Sequence, residues 1–215
     1  MKTFNIGIIG LGNIGLEVYK NIKKNASDIQ KKTGFKLNVI KATARNISKK
    51  RGVSFAKGVL EKDPFKIIKN SNIDIIVELI GGSDGMAKKV VFEAIKQNKH
   101  VVTANKALIA KHGDALSILS EKHSVNLLFE AAVGGGIPII RSIKQGLIAN
   151  KLHHIYGILN GTTNYILTEM EKRNENFPNV LKDAQRLGYA ESNPTADVDG
   201  HDAADKISIL SSIGF

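Results

Sequence analysis

The most constraining stretch of the chain is its beginning. Residues 3–9 form a short apolar run, and Gly10-Leu11-Gly12-Asn13-Ile14-Gly15 follows at once with the spacing G-x-G-x-x-G. An apolar run of this length, stopped by a glycine turn, predicts a buried parallel strand. The residues beyond it, with Ile14, Val18 and Ile22 at helical spacing, predict a helix over 13–32. The three glycines have separate tasks: the first permits the tight turn, the second lets a pyrophosphate approach the backbone, and the third lets helix and strand pack closely. The phosphates then lie at a helix N-terminus, where N–H groups and the helix dipole favour an anion. A glycine-rich turn can also be merely structural. The strand before it, the helix after it and the alternation that follows favour dinucleotide binding by Gly10, Gly12, Asn13, Ile14 and Gly15.

That alternation is regular. Strands are predicted over 35–44, over 73–80 closed by Gly81-Gly82, over 100–103 and over 125–129, with helices over 87–97 and 106–122. This is the signature of a parallel sheet covered on both faces, an α/β fold. After Gly134-Gly135-Gly136 the pattern changes: a helix over 138–149, a strand over 151–159, a turn or cap at Asn160-Gly161-Thr162-Thr163 before another helix, a helix over 177–187, a polar loop over 188–200 and a helix over 201–213. The chain thus divides into residues 1–133 and 134–215.

Composition narrows the function. With 215 residues, 42% hydrophobic and 24% charged, the chain has length for one large or two small domains with a real core, which excludes disorder and collagen-like order. No window approaches 18 consecutive apolar residues, and the N-terminus lacks a signal peptide's long apolar region, so a cytoplasmic protein is expected, without a membrane partner. Cysteine is absent, which excludes disulfides, Cys-ligated zinc and thiolate nucleophiles. The net charge of +11 suits nucleic acid, an anionic membrane or an anionic small ligand. It is unevenly spread: residues 1–122 carry 23 basic and 10 acidic side chains, net +13, and residues 123–215 carry 8 and 10, net −2. Lysine outnumbers arginine 26 to 5, which fits a diffuse field better than bidentate readout.

Several clusters carry chemistry. An NAD site places Asp or Glu at the end of the second strand for the ribose 2′-OH. Here Ala44-Arg45-Asn46 is followed by Lys49, Lys50 and Arg51, with no acid nearby. Arg45 suits a 2′-phosphate, so NADP is preferred and NAD stays possible; a solvated basic turn is the alternative. Thr103-Ala104-Asn105-Lys106 follows a strand, at the end of an open sheet where ligands bind. Lys106 opposes the dipole of the helix it starts, so an anionic ligand explains it better than a surface role. Glu130-Ala131-Ala132-Val133-Gly134-Gly135-Gly136-Ile137-Pro138 is either a hinge or, with exposed carbonyls and Glu130, a site for a hard cation. Residues 188–206 gather Glu191, Asp197, Asp199, Asp202 and Asp205; Asp202 and Lys206 share a helix face at i and i+4, as a surface ion pair or as a lysine poised to move a proton. The six histidines show no metal spacing, and neither a G-x-S-x-G elbow nor a Walker loop is present.

Taken together, GLGNIG at 10–15, TANK at 103–106, EAAVGGGIP at 130–138, NGTTNYIL at 160–167 and GYAESNPTADVDGHDAADK at 188–206 resemble the homoserine dehydrogenase family, in order and spacing over essentially the whole chain. The resemblance implies a Rossmann-type NAD(P)-binding domain followed by part of an α+β substrate and dimerisation domain. It implies reversible, NAD(P)H-dependent reduction of aspartate 4-semialdehyde to homoserine, towards threonine and methionine. It places Gly10–Gly15, Thr103 and Gly188 on the dinucleotide. Lys206, with Lys106 and Asp202, falls at the reacting centre, Lys206 as proton donor. Glu191, Asp202, Gly161, Thr162 and Tyr189 fall on the substrate, and Glu130, Val133, Gly135 and Ile137 on a sodium ion. The family's catalytic chains continue beyond these motifs, so the resemblance also implies that the 215 residues are a truncated form, and that the full-length form is a homodimer. Aspartate-semialdehyde dehydrogenase handles the same aldehyde but needs a cysteine nucleophile. A non-catalytic dinucleotide sensor is the alternative from another class; its DNA-associated form needs a recognition helix that the sequence does not offer.

Overall fold

In the first unit, β1 (Thr3–Ile9) forms where the sequence runs apolar without helical period, and it lies at the centre of a six-stranded sheet. The computed structural model describes residues 2–215, in two units, one ending at Gly136 and the other running Ile137–Phe215. The strands β2 (Lys36–Thr43), β3 (Leu60–Glu61), β4 (Ile75–Glu78), β5 (His100–Thr103) and β6 (Leu127–Leu128) complete the sheet in the order β3-β2-β1-β4-β5-β6, every pairing parallel. From β1 the chain first builds outward to β2 and β3, then returns to β4 on the other side. The strand order therefore reverses between β1 and β4, the position at which open α/β sheets bind ligands.

The connections are α1 (Asn13–Lys24), α2 (Ala26–Thr33), α3 (Pro64–Ile68), α4 (Met86–Lys96), α5 (Lys106–Lys122) and the single turn α6 (Glu130–Val133). One part of the core joins Ile6 and Ile8 of β1 to Leu11, Tyr19, Ala42, Val59 and Val77, with the Tyr19 and Phe55 rings 4.7 Å apart. Gly7 belongs here for want of space: a Cβ on it would meet Ile67 at 2.5 Å.

The helix expected over 13–32 is two helices. Asn25, at φ −100° and ψ 14°, leaves helical geometry between them, as asparagine does readily because its side chain competes with the helix ladder. The expected strand over 125–129 shortens to two residues.

All the regular secondary structure described in the second unit is helical: α7 (Ile139–Arg141), a π-helical turn (Ser142–Gly146), α8 (Gly161–Arg173), α9 (Phe177–Arg186), α10 (Thr195–Val198) and α11 (His201–Gly214). Ile166, Val180, Ala184 and Ala190 are buried together between α8 and α9. The helix expected over 138–149 is cut short. The Ser142 hydroxyl donates back to the Pro138 carbonyl at 2.7 Å, and Leu147 N donates five residues back to Ser142 O, which widens the turn and ends it. The strand expected over 151–159 does not form, because no described strand of this unit offers it a ladder of N–H and C=O partners. The loop expected over 188–200 contains α10.

Candidate active site

At the carboxyl end of the sheet, Thr43, Ile9, Glu78 and Thr103 are register partners in one row across β2, β1, β4 and β5. The row and the loops leaving it carry the first unit's candidate dinucleotide residues and Lys106. Gly10 and Leu11 donate their N–H groups to Thr43 O at 3.1 and 3.0 Å, which turns the chain sharply off β1. Gly10 has φ +109°, and a Cβ there would stand 2.8 Å from Leu79 O; a Cβ on Gly15 would stand 1.9 Å from Gly10 O. Gly12 differs, since a Cβ on it would meet nothing within 4 Å. Its absence keeps open the space in front of the N-terminus of α1, whose first turn carries no acid. Ile14 is exposed beside it.

This turn borders a cavity of about 570 Å3, lined by Gly10, Leu11 and Gly12 and by Ala44, Arg45, Lys49 and Lys62, with no acidic residue. Its size is that of a small-molecule site. Arg51 donates to Leu11 O at 3.3 Å, Lys49 O at 2.8 Å and Asn46 O at 2.5 Å, and so fastens the loop after β2 to the glycine turn. Arg45 makes no hydrogen bond or ion pair with a described residue and lies exposed on the cavity wall.

Lys106 is half-buried at the first position of α5. The end of β4 fixes it there. Glu78, fully buried, accepts from Ile80 N at 2.6 Å, Gly81 N at 3.2 Å and the Thr103 hydroxyl at 2.6 Å. Asn105 donates to Thr103 Oγ1 and to Gly82 O, and its Oδ1 accepts from Leu108 N as the cap of α5. The Thr103 hydroxyl, bonded on both sides, therefore stands behind the loop, outside the cavity lining. Farther out, hydrogen bonds from Lys111, Ser83 and His112 hold the Asp84 carboxyl well below the usual carboxylate range.

The second unit assembles its own group of candidates. Lys206 Nζ donates to Leu159 O at 2.8 Å and pairs with Asp202 Oδ2 at 2.8 Å. The Lys206 side chain is 17% exposed and that of Asp202 8%. The Thr162 hydroxyl donates to Tyr189 O at 2.7 Å, and the Tyr189 ring stacks on Tyr165 at 4.5 Å. Gly161 opens α8, and Gly188 ends α9 at φ +81°. Glu191 is exposed, its carbonyl accepting from Gln185.

Glu130 and Val133 form the ends of α6, with Gly135 just beyond; Ile137 begins the second unit. The Val133 and Gly135 carbonyls accept no backbone hydrogen bond from a described residue. Among the described residues no three His, Cys, Asp or Glu side chains gather as a metal site, so a cation held here rests on carbonyls and Glu130. No described helix is long and apolar enough to cross a membrane. Sequence reasoning missed Glu78 and Lys62, and saw Asn160 only as a cap. Glu78 left one signal, a single acid closing an otherwise apolar strand.

The profile of the homoserine dehydrogenase NAD binding domain matches residues 10–130, and that of homoserine dehydrogenase matches residues 138–215. The chain belongs to the homoserine dehydrogenase family. A homoserine dehydrogenase of Pseudomonas aeruginosa is 45% identical over 215 residues, all of this chain and 49% of the relative. The crystal structure of a homoserine dehydrogenase from Thiobacillus denitrificans superposes with a TM-score of 0.92 at 45% identity, over all of this chain and 49% of that one. A hyperthermophilic archaeal homoserine dehydrogenase in complex with NADPH gives 0.85 at 25% identity, over 99% of this chain and 70% of that one. The chain spans about half the length of the curated relatives it matches.

Proposed function

We propose that the protein is a cytoplasmic NADP-preferring homoserine dehydrogenase, which reduces aspartate 4-semialdehyde reversibly to homoserine. The observation that carries the reading is the Lys206 ammonium, half-buried and held at 2.8 Å by both Asp202 and the Leu159 carbonyl, in a family whose profile also covers the dinucleotide-binding turn of the first unit. A nicotinamide, when bound, supplies the hydride. The chain's part is to orient the carbonyl and to give a proton to the oxygen as negative charge grows on it, which a fixed ammonium does well. Asp202 and Glu191 take the substrate's ammonium group, while Gly161, Thr162 and Tyr189 border it. Lys106 serves the reacting end, and Gly188 meets the dinucleotide.

Gly10, Gly12, Asn13, Ile14 and Gly15 hold the pyrophosphate, Thr103 supports the neighbouring loop, and Arg45 grips the 2′-phosphate. Glu130, Val133, Gly135 and Ile137 supply oxygens to a monovalent cation, sodium. The full-length form is a homodimer; Ile148, Tyr156 and Ile158 expose apolar surface suited to burial. NADPH oxidation by the full-length protein with aspartate 4-semialdehyde, run beside NADH, tests the reading. Turnover with NADPH preferred is expected; a folded protein that oxidises neither coenzyme overturns it.

A further inference from the structure

Asn160 closes the segment before α8 and is 7% exposed. All three hydrogen-bonding functions of its amide are engaged. Its Oδ1 accepts from Thr163 N at 2.8 Å and caps α8. Its Nδ2 donates to Asp197 Oδ1 of α10 at 2.7 Å and to Asp202 Oδ2 of α11 at 2.9 Å. That same Oδ2 is the atom paired with Lys206, while Leu159 O, the other acceptor of the Lys206 ammonium, belongs to the residue next to Asn160. One short side chain and its neighbour's carbonyl thus fix both ends of the Asp202–Lys206 pair. A cap needs only the oxygen; serine, threonine or aspartate supplies it equally well. The amide is required for something else: only Asn, at this length, accepts the cap bond while donating to two carboxylates that would otherwise repel each other.

We propose that Asn160 is a positioning residue, which sets the direction of the Lys206 ammonium by anchoring Asp202. This rests on Lys206 as the proton donor. The test uses the full-length protein with Asn160→Ser and, as an isostere, Asn160→Asp, both of which retain a cap oxygen and lose the amide's two N–H donors. In kinetics, kcat for the aldehyde falls at least tenfold in both, while KM for NADPH stays within twofold of wild type. A loss of cap stability alone lowers the melting temperature and leaves kcat per folded enzyme unchanged, and that result overturns the proposal. Crystal structures of the variants supply an arm independent of activity: Asp202 and Lys206 are expected beyond 4 Å of each other, or Lys206 off Leu159 O. Both contacts kept in place overturn the proposal. An inactive wild type whose variants show the displaced pair overturns the dehydrogenase reading and leaves Asn160 as the anchor of the pair.

Discussion

Lys206 and Arg45 are both cations in a basic chain, and their surroundings separate them. Lys206 is held by a carboxylate and a carbonyl and is largely shielded from water. Replacing it by alanine removes the proposed proton donor, so turnover is expected to fall about 10²-fold or more, the range of general acid catalysis. Cofactor affinity, read by fluorescence titration, stays at the wild-type value; a variant that turns over at the wild-type rate excludes Lys206 as the donor. Arg45 has no partner among the described residues, and its neighbour Arg51, with three carbonyls to bond, keeps the loop in place. Arg45→Ala therefore leaves folding intact and weakens NADPH by about tenfold, the value of about 1.4 kcal/mol from a charge-assisted bond. KM for NADH, which has no 2′-phosphate, stays constant. Equal weakening of both coenzymes counts against Arg45 as the selecting residue.

At the scale of elements, the glycine turn makes a prediction that separates packing from binding. Gly15→Ala places a methyl 1.9 Å from Gly10 O, so α1 must move off β1 and the protein loses stability, by about 1–3 kcal/mol as in overpacked cores. Gly12→Ala meets nothing in the chain. Its melting temperature stays near wild type while NADPH binding weakens by at least tenfold, because the methyl occupies the space proposed for the pyrophosphate. Melting curves with and without NADPH distinguish the two. Why the turn was legible before the fold, and other elements were not, has one explanation. β1, the glycines and α1 announce themselves through local period and spacing, as do β4, β5 and α5. β3 and α3 are too short to show a period, and α3 depends on Asp63 accepting from Phe65 N as its cap. Residues 151–159 have the apolar content of a strand without a partner to pair with. Glu78 and Asn160 owe their importance to contacts 25 and 42 residues away along the chain, which no local pattern encodes.

Across the whole molecule, the +11 charge concentrates in the half that carries the glycine turn, while the half with Asp202 and Lys206 is nearly neutral. The cavity beside the turn shows the same sign in miniature, with Arg45, Lys49, Arg51 and Lys62 and no acid. A field of that kind attracts a polyanion from a distance and fades as salt shortens its range, from about 10 Å at 0.1 M to about 3 Å at 1 M. Aspartate 4-semialdehyde carries one ammonium and one carboxylate and feels little net attraction. NADPH carries about 1.5 to 2 more negative charges than NADH. Raising salt across that range is therefore expected to increase KM for NADPH several-fold, KM for NADH less, and KM for the aldehyde hardly at all. The proposed coenzyme preference should narrow as salt rises, because on this reading part of it is long-range attraction and only the remainder the short contact proposed at Arg45. Steady-state kinetics of the full-length enzyme with both coenzymes at the two salt concentrations decide it: a preference that does not change with salt assigns the whole of it to direct contact and leaves the lysine excess of the first half without a part in binding.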